Sequence, residues 1–116
     1  PEGRATNGDR MLPFQTAPLA APLRNHSIIV PVTLRYVHLD DRPISKENRD
    51  LIYCYDEMDF VPHFWKLLSL RRIEVLVTIR RKIDCARYED TSAGRKQLAL
   101  DCYHRVLGEF AKCAKP

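Results

Sequence analysis

The sequence has no apolar run near the roughly 20 residues that a membrane-spanning helix needs, although 45% of its residues are hydrophobic. It also has no Cys-x-x-Cys pair, no internal repeat and no low-complexity tract. Any contact with a membrane is therefore expected to be interfacial, or to be made outside residues 1–116. The absence of a cysteine pair argues against a zinc site, whose ligands usually come in closely spaced pairs.

The four cysteines lie far apart in the sequence, which does not resemble the disulfide framework of a small secreted domain. We expect them to be reduced and to contribute mainly to packing. Cys102 and Cys113 are separated by about three helical turns. This spacing predicts that the two side chains share one face of a helix and are buried together, without forming a bridge.

Positive charge is concentrated in the second half of the chain. The formal net charge is +4, and residues 59–116 hold twelve Lys or Arg against seven Asp or Glu, whereas residues 1–58 are nearly balanced. Such a surplus can attract anionic lipid or nucleic acid. A solvated face around a globular core is the favoured interpretation. The length of 116 residues corresponds to about one small domain.

Prolines limit the elements of the first half. Residues 1–10 are polar and contain two glycines, which is typical of a loop. Three prolines in residues 11–24 predict a short or broken helix, because an interior proline removes a hydrogen bond and clashes with the preceding turn. Residues 28–36 are strongly strand-like. Pro31 within them cannot donate to a ladder, so it suits a strand end, an edge or a bulge.

The remaining pattern predicts an α/β fold, with a partial mixed sheet flanked by helices. Strict alternation between residues 73 and 79 predicts a strand whose isoleucines and valines face inward. A partial sheet would expose an edge and an apolar face, and such surfaces pair with another chain or aggregate. The other predicted elements are a surface loop at 38–48, a short strand at 51–55, an amphipathic helix at 60–69 capped by Asp59, and a last helix from a Ser92 cap to about Cys113.

The first loop has the chemistry of an anion-binding site. Gly3 allows the backbone to approach a ligand closely. The guanidinium of Arg4 can hold a phosphate through two hydrogen bonds. Thr6 and Asn7 add neutral donors. A short Gly-Arg-x-Thr stretch is a weak signal by itself, and the weight of the interpretation comes from the motifs that follow it.

An ordered series of motifs extends over nearly the whole chain and resembles the 1-acylglycerol-3-phosphate acyltransferase family. In that family Phe-Pro-Glu-Gly-Thr opens the phosphate-binding loop, a Val-Pro-Val-rich strand follows, and Leu-Pro-His-Leu-Trp comes later. Arg4 stands where the family usually has threonine. The matching segments are Pro1-Glu2-Gly3, Thr6-Asn7-Gly8, Leu12-Pro13-Phe14, Val30-Pro31-Val32-Thr33-Leu34 and Asp56-Glu57-Met58-Asp59-Phe60-Val61-Pro62-His63-Phe64-Trp65.

The resemblance implies that residues 1–116 are the C-terminal part of a single acyltransferase domain with a glycerol-3-phosphate acyltransferase-like fold. A carboxylate cannot itself attract phosphate, so Glu2 is expected to orient the loop by accepting hydrogen bonds. Pro31 is expected to shape the strand beside the acyl site, or to be an ordinary strand-end proline. The substrate-binding residues implied are Glu2, Gly3, Arg4, Thr6 and Pro31.

The family's catalytic block is a histidine followed five positions later by an aspartate, and no histidine here matches it. The formal near-match is His104 with Glu109, which a helix would turn about 140° apart. We therefore expect the block to lie upstream of residue 1, and we expect this fragment to be soluble, inactive alone and able to self-associate. The resemblance implies no catalytic residue, metal or cofactor within the chain.

The parent enzyme implied by the resemblance is associated with the cytoplasmic face of a membrane. It would move an acyl group from acyl-carrier protein or acyl-CoA to a lysophosphatidic-acid-like acceptor, and a lyso-aminolipid acceptor is a variant of this hypothesis. The alternative is a non-enzymatic basic module that binds acidic lipid or nucleic acid. The sequence lacks the aromatic stacking pattern and the motifs of nucleic-acid-binding domains, so no nucleic-acid partner is expected.

Overall fold

The computed structural model describes residues 2–56 and 58–113, with side chains described as far as residue 108. The fold is mixed α/β, as the sequence predicts, but its strands form two small sheets with antiparallel pairing. The helices are α1 (Ala20–Arg24), α2 (Phe60–Leu68) and α3 (Ser92–Cys113). The strands are β1 (Ile28–Ile29), β2 (Val32–Leu39), β3 (Arg42–Pro43), β4 (Ile73–Ile79) and β5 (Ile83–Asp84).

The chain forms two compact units. The first unit comprises residues 1–3, 11–33 and 78–116 and contains α1, α3 and the β1–β5 pair. The second unit comprises residues 4–10 and 34–77 and contains α2, β3 and most of β2 and β4. The core of the first unit is a cluster of buried side chains from α1, the β5 region and α3, namely Leu23, Ile83, Cys85, Leu98 and Cys102.

Pro31 divides the predicted strand at 28–36 into two strands that belong to different sheets. β1 pairs with β5, placing Ile28 opposite Asp84 and Ile29 opposite Ile83, whereas β2 lies between β3 and β4. The prediction of one continuous strand was therefore wrong. The physical reason is the missing N–H of proline, which interrupts the ladder. The carbonyl of Pro31 still accepts a hydrogen bond from the backbone N–H of Arg80, at 2.9 Å.

The predicted surface loop at 38–48 begins with a β-hairpin. β2 continues to Leu39, and β3 returns antiparallel to it after a two-residue turn. The turn residues Asp40 and Asp41 have φ values of 47° and 67°. Positive φ at both positions is the geometry of a type I′ turn, which matches the twist of the flanking strands. The sequence signal was weak because the turn is Asp-Asp instead of the usual Asn-Gly or Asp-Gly.

The helices follow the predicted order, with differences at their starts. Residues 17–19 form a 3-10 turn that leads into the five-residue α1, so the broken helix is confirmed. Asp59 occupies the cap position of α2 but makes no side-chain cap bond. α3 begins at Ser92 instead of after it, and the hydroxyl of Thr91 accepts the N–H of Gly94 at 3.0 Å. The predicted strand at 51–55 was wrong, because a 3-10 turn and irregular chain occupy it.

β4 covers the predicted residues, but its predicted inward face is exposed. Ile73 and Val75 are each 37% exposed, Val77 is 54% exposed and Ile79 is 71% exposed. Strict alternation predicts which side chains share a face, but it does not determine whether another element covers that face. The fold therefore leaves apolar sheet surface in contact with solvent.

α3 carries the buried helix face of the first unit. Leu98 and Cys102 are buried. Burial raises the pKa of the Cys102 thiol to about 11, which keeps it protonated and unreactive at neutral pH. The side chain of Cys113, predicted to be buried with Cys102, lies outside the described part of the chain. Of the helices that the structure describes, none combines the length and the apolar character needed to cross a membrane.

Candidate functional site

Glu2 and Gly3 shape the start of the predicted phosphate loop within the first unit. The Glu2 carboxylate accepts a hydrogen bond from the backbone N–H of Leu12, at 3.1 Å. This contact ties the start of the loop to Leu12. Gly3 has a φ of +79°, and a Cβ built at this position would lie 3.0 Å from the Gln15 side chain. Only glycine adopts this conformation at little cost.

Thr6 to Asp9 form a tight turn in the second unit. The side-chain oxygen of Asn7 accepts the backbone N–H of Asp9 at 3.2 Å, and the Thr6 hydroxyl oxygen accepts the N–H of Gly8 at 3.4 Å. These are the local side-chain bonds that Asn and Thr use in turns. The Thr6 hydroxyl keeps its proton available for donation, because it acts as an acceptor in this contact.

An ion pair between Asp9 and Arg49 holds this turn in place. The Arg49 guanidinium donates to both carboxylate oxygens of Asp9, one of them at 3.2 Å. The Arg49 side chain is 19% exposed and the Asp9 side chain is 55% exposed, so the arginine is the more shielded partner. The hydrogen bond from Arg49 lowers the pKa of the Asp9 carboxyl. The sequence contained no sign of this anchor, because forty residues separate the partners.

Arg4 lies at an open hollow of about 240 Å³ in the second unit, which Ala5, Cys54, Tyr55 and Asp56 also line. Its guanidinium is 3.5 Å from the Asp56 carboxylate, and both side chains are about two-thirds exposed. An exposed contact at this distance is weak. The site can therefore exchange the carboxylate for another anion that makes shorter, two-bond contacts.

The five residues predicted to bind substrate are divided between the two units. Glu2, Gly3 and Pro31 belong to the first unit, and Arg4 and Thr6 belong to the second. Pro31 is buried at the break between β1 and β2, which supports its interpretation as a strand-end proline. Pro1 lies outside the described residues, as does Glu57 of the later motif. Asp56 was noted only as part of the later motif, and its place beside Arg4 was not predicted.

A histidine–carboxylate pair is present that sequence spacing did not reveal. The Nδ1 atom of His38 on β2 lies 3.1 Å from a carboxylate oxygen of Glu74 on β4. An acid that orients a general base accepts a hydrogen bond from it, whereas the Nδ1 atom of His38 makes no hydrogen bond within the residues that the structure describes. Both side chains are about half exposed, and neither lines the hollow at Arg4. Of the near-match His104–Glu109, the Glu109 side chain lies outside the described part of the chain.

Two arginines of the basic second half have structural contacts within the first unit. The Arg105 guanidinium donates to the backbone carbonyls of Arg81 and Lys82, at 2.7 and 3.2 Å. The Nε atom of Arg80 donates to the carbonyl of Arg105 at 3.3 Å. These bonds tie α3 to the segment between β4 and β5. The guanidinium groups of Arg80 and Arg105 therefore make hydrogen bonds within the first unit.

His63 is a buried polar side chain of the second unit. It lies on α2 and is 8% exposed, and its Nε2 atom is buried without a hydrogen-bond partner in the described part of the chain. Among the described residues, no group of histidine, cysteine and carboxylate side chains has the arrangement of a metal site.

Comparison with known proteins assigns no family to the chain, since no family model, no curated protein and no solved structure matches it.

Proposed function

We propose that the chain is the C-terminal part of a glycerolipid acyltransferase and that its first loop recognises a phosphorylated acceptor. The ordered motifs of the sequence support this proposal, and the hydrogen bond from Leu12 to Glu2 supports the orienting role expected for that carboxylate. The acceptor is lysophosphatidic acid or a close relative, and the donor is an acyl thioester of coenzyme A or acyl-carrier protein.

The observation that carries the proposal is the position of Arg4. Its side chain is 70% exposed beside a hollow, and its guanidinium lies 3.5 Å from the Asp56 carboxylate. A phosphate offers several oxygens in the geometry that a guanidinium matches with two parallel bonds. Thr6, two residues on, keeps a hydroxyl proton to donate. Arg4 is therefore the residue of this loop that supplies charge to the acceptor.

The reaction of the parent enzyme is acyl transfer from sulfur to oxygen. The acceptor hydroxyl oxygen forms a bond to the acyl carbon, the carbon–sulfur bond breaks, and the hydroxyl proton passes through the histidine base to the leaving thiolate. The histidine and its aspartate are assigned to residues upstream of this chain. In this proposal, Arg4 and Thr6 bind the phosphate of the acceptor and do not take part in the proton transfer.

The test is a titration of the chain with glycerol 3-phosphate, followed by nuclear magnetic resonance of the loop amides. This probe carries the phosphate without an acyl chain, so adsorption to lipid cannot imitate binding. Arg4→Ala should weaken binding about ten- to hundredfold, because a charged hydrogen bond is lost. Arg10→Ala, an exposed arginine at the end of the same segment, is the matched control and should bind normally.

Two outcomes would contradict the proposal. If glycerol binds as tightly as glycerol 3-phosphate, the loop does not recognise phosphate. If Arg4→Ala binds glycerol 3-phosphate with unchanged affinity, Arg4 does not contribute to phosphate binding. The transfer step has its own test, a thioester-consumption assay with lysophosphatidic acid, in which the chain alone should show no turnover. Turnover that His38→Ala abolishes would instead assign the base to the His38–Glu74 pair.

The alternative of a basic binding module has less support. Its positive charge is grouped at residues 71–72, 80–82 and 95–96, and Arg80 of the second group already bonds to the carbonyl of Arg105. Arg105 in turn donates to the carbonyls of Arg81 and Lys82. A nucleic-acid interface also needs aromatic or base-reading side chains beside the cations, and the sequence shows no such pattern.

A further inference from the structure

Arg4 and Asp56 present opposite charges at the same hollow of the second unit. The guanidinium lies 3.5 Å from the carboxylate, and both side chains are well exposed. Neither side chain has another hydrogen-bond or ion-pair partner among the residues that the structure describes. A contact of this length between exposed groups is weak, so a ligand can separate the two charges at little cost. The hollow therefore offers one cationic and one anionic group to the same ligand.

The Asp56 side of this hollow has a second source of negative potential. Tyr55, which also lines the hollow, donates its hydroxyl proton to Asp50 at 3.1 Å. The hydrogen bond to Asp50 raises the pKa of the Tyr55 phenol, and the charge of Asp56 raises it as well, although Arg49 acts in the opposite direction. Two carboxylates thus act on the same phenol, and negative potential there favours a positively charged group of a ligand.

A ligand that carries phosphate alone satisfies only one of the two charges. When a phosphate replaces the carboxylate on Arg4, Asp56 loses its partner and lies close to the bound anion, where like charges repel each other. An ammonium group on the same ligand offsets both effects, because it pairs with Asp56 and attracts the phosphate. Each charged group of the ligand and of the hollow then has an opposite charge beside it.

We infer that the acceptor of this loop is zwitterionic, with its phosphate bound by Arg4 and a primary ammonium group bound by Asp56. The chemical class is a glycerophosphoamine, in which the phosphate is also esterified to a short amino alcohol. The inference rests on the proposed function, because it names the acceptor that the same loop recognises. It adds a binding role for Asp56, which competes only with a ligand that lacks the ammonium group.

The experiment compares two ligands that differ only at the nitrogen, namely glycerophosphoethanolamine and its N-acetyl derivative. Both carry the same phosphodiester, and neither has an acyl chain, so adsorption to lipid cannot imitate binding. Titrations followed by nuclear magnetic resonance of the loop amides give both dissociation constants. The chain should bind the ammonium form about two- to fivefold more tightly, which is the contribution of an exposed ion pair.

Substitution of Asp56 then separates the ammonium contact from the phosphate contact. Asp56→Asn should bind the two ligands with equal affinity, because the neutral amide forms no ion pair with the ammonium group. Asparagine tolerates the left-handed conformation of this residue, whose φ is 52°. Asp41→Asn is the matched control, since Asp41 is also an exposed aspartate paired with an arginine, Arg72 at 3.1 Å. This control should keep the full preference for the ammonium form.

The outcomes separate this inference from the proposed function. If glycerol 3-phosphate binds through Arg4 but the two phosphodiesters bind equally, the zwitterionic acceptor is wrong and the phosphate-binding loop stands. If the preference for the ammonium form persists in Asp56→Asn, or is lost equally in Asp41→Asn, it does not come from the Asp56 contact and the inference is overturned. If neither glycerol 3-phosphate nor glycerophosphoethanolamine binds, the proposed function fails together with the inference.

Discussion

Arg49 and Asp9 form a two-bond ion pair although forty residues separate them in the chain. This pair fixes the position of residues 4–10, the segment that carries Arg4 and Thr6, against the rest of the second unit. The loop proposed to bind phosphate thus depends on a contact outside every motif that identified it. The importance of this pair for the loop can be measured.

Asp9→Asn should lower the free energy of unfolding near neutral pH, and the size of this loss should depend on pH. Because Arg49 lowers the pKa of Asp9 in the folded state, the carboxylate contributes stability above its unfolded pKa, near 4. That contribution is lost as pH falls through the lowered pKa. Urea unfolding at a series of pH values should show the two chains converging in acid.

Asp41→Asn is the control for this experiment. Asp41 also pairs with an arginine, Arg72, but both side chains are well exposed. Exposed pairs contribute little to stability, so this substitution should have almost no effect at any of the pH values. If Asp9→Asn lowers the free energy of unfolding by the same amount from neutral to acid pH, the role given to the ion pair is contradicted.

Gly8→Ala should destabilise the chain by about 1–2 kcal/mol, because a left-handed conformation is costly for a residue with a Cβ. Gly8 has a φ of +81°, and its Cβ would lie 3.1 Å from the Tyr53 ring. Gly108→Ala is the matched control, since it lies in α3 with open space around it. It should stabilise by up to about 1 kcal/mol. Urea unfolding of both variants measures the contrast, and effects of the same sign would contradict the assigned turn geometry.

Asp56→Asn should increase the affinity for glycerol 3-phosphate by up to about fivefold, because it removes a weak competing ion pair with Arg4. The amide keeps nearly the same shape while it loses the negative charge that repels phosphate. Calorimetric titration gives the affinity, and Asp59→Asn, an exposed carboxylate at the start of α2, is the control. A weaker affinity in Asp56→Asn would mean that Asp56 positions Arg4 for the ligand instead of competing with it.

Self-association through β4 is expected, because this strand ends the order β3-β2-β4 and exposes apolar side chains. An uncovered edge strand is a template for pairing with another chain. Val77→Lys should shift sedimentation towards monomer by placing charge on the strand, whereas Leu100→Lys on α3 should not. A chain that sediments as a monomer at all concentrations would show that the edge is protected by other means.

The sequence alone determined the elements whose cause is local. The alternation of residues 73–79 predicted the bounds of β4, and the prolines of residues 11–24 predicted the broken helix, because each depends on neighbours a few residues away. Glycine and proline rules also located the first loop and the interruption at Pro31. The sign of the Glu2 charge excluded a direct attraction of phosphate by that side chain, since a carboxylate repels an anion.

Only the tertiary structure decided which surfaces are covered and which distant residues meet. The same alternation that predicted β4 placed its isoleucines inside, yet they are exposed, because burial depends on whether another element packs against the face. The pairs Arg4–Asp56, Arg49–Asp9 and His38–Glu74 unite residues far apart in the chain. Periodicity carries no information on such contacts, since they depend on how the chain returns on itself.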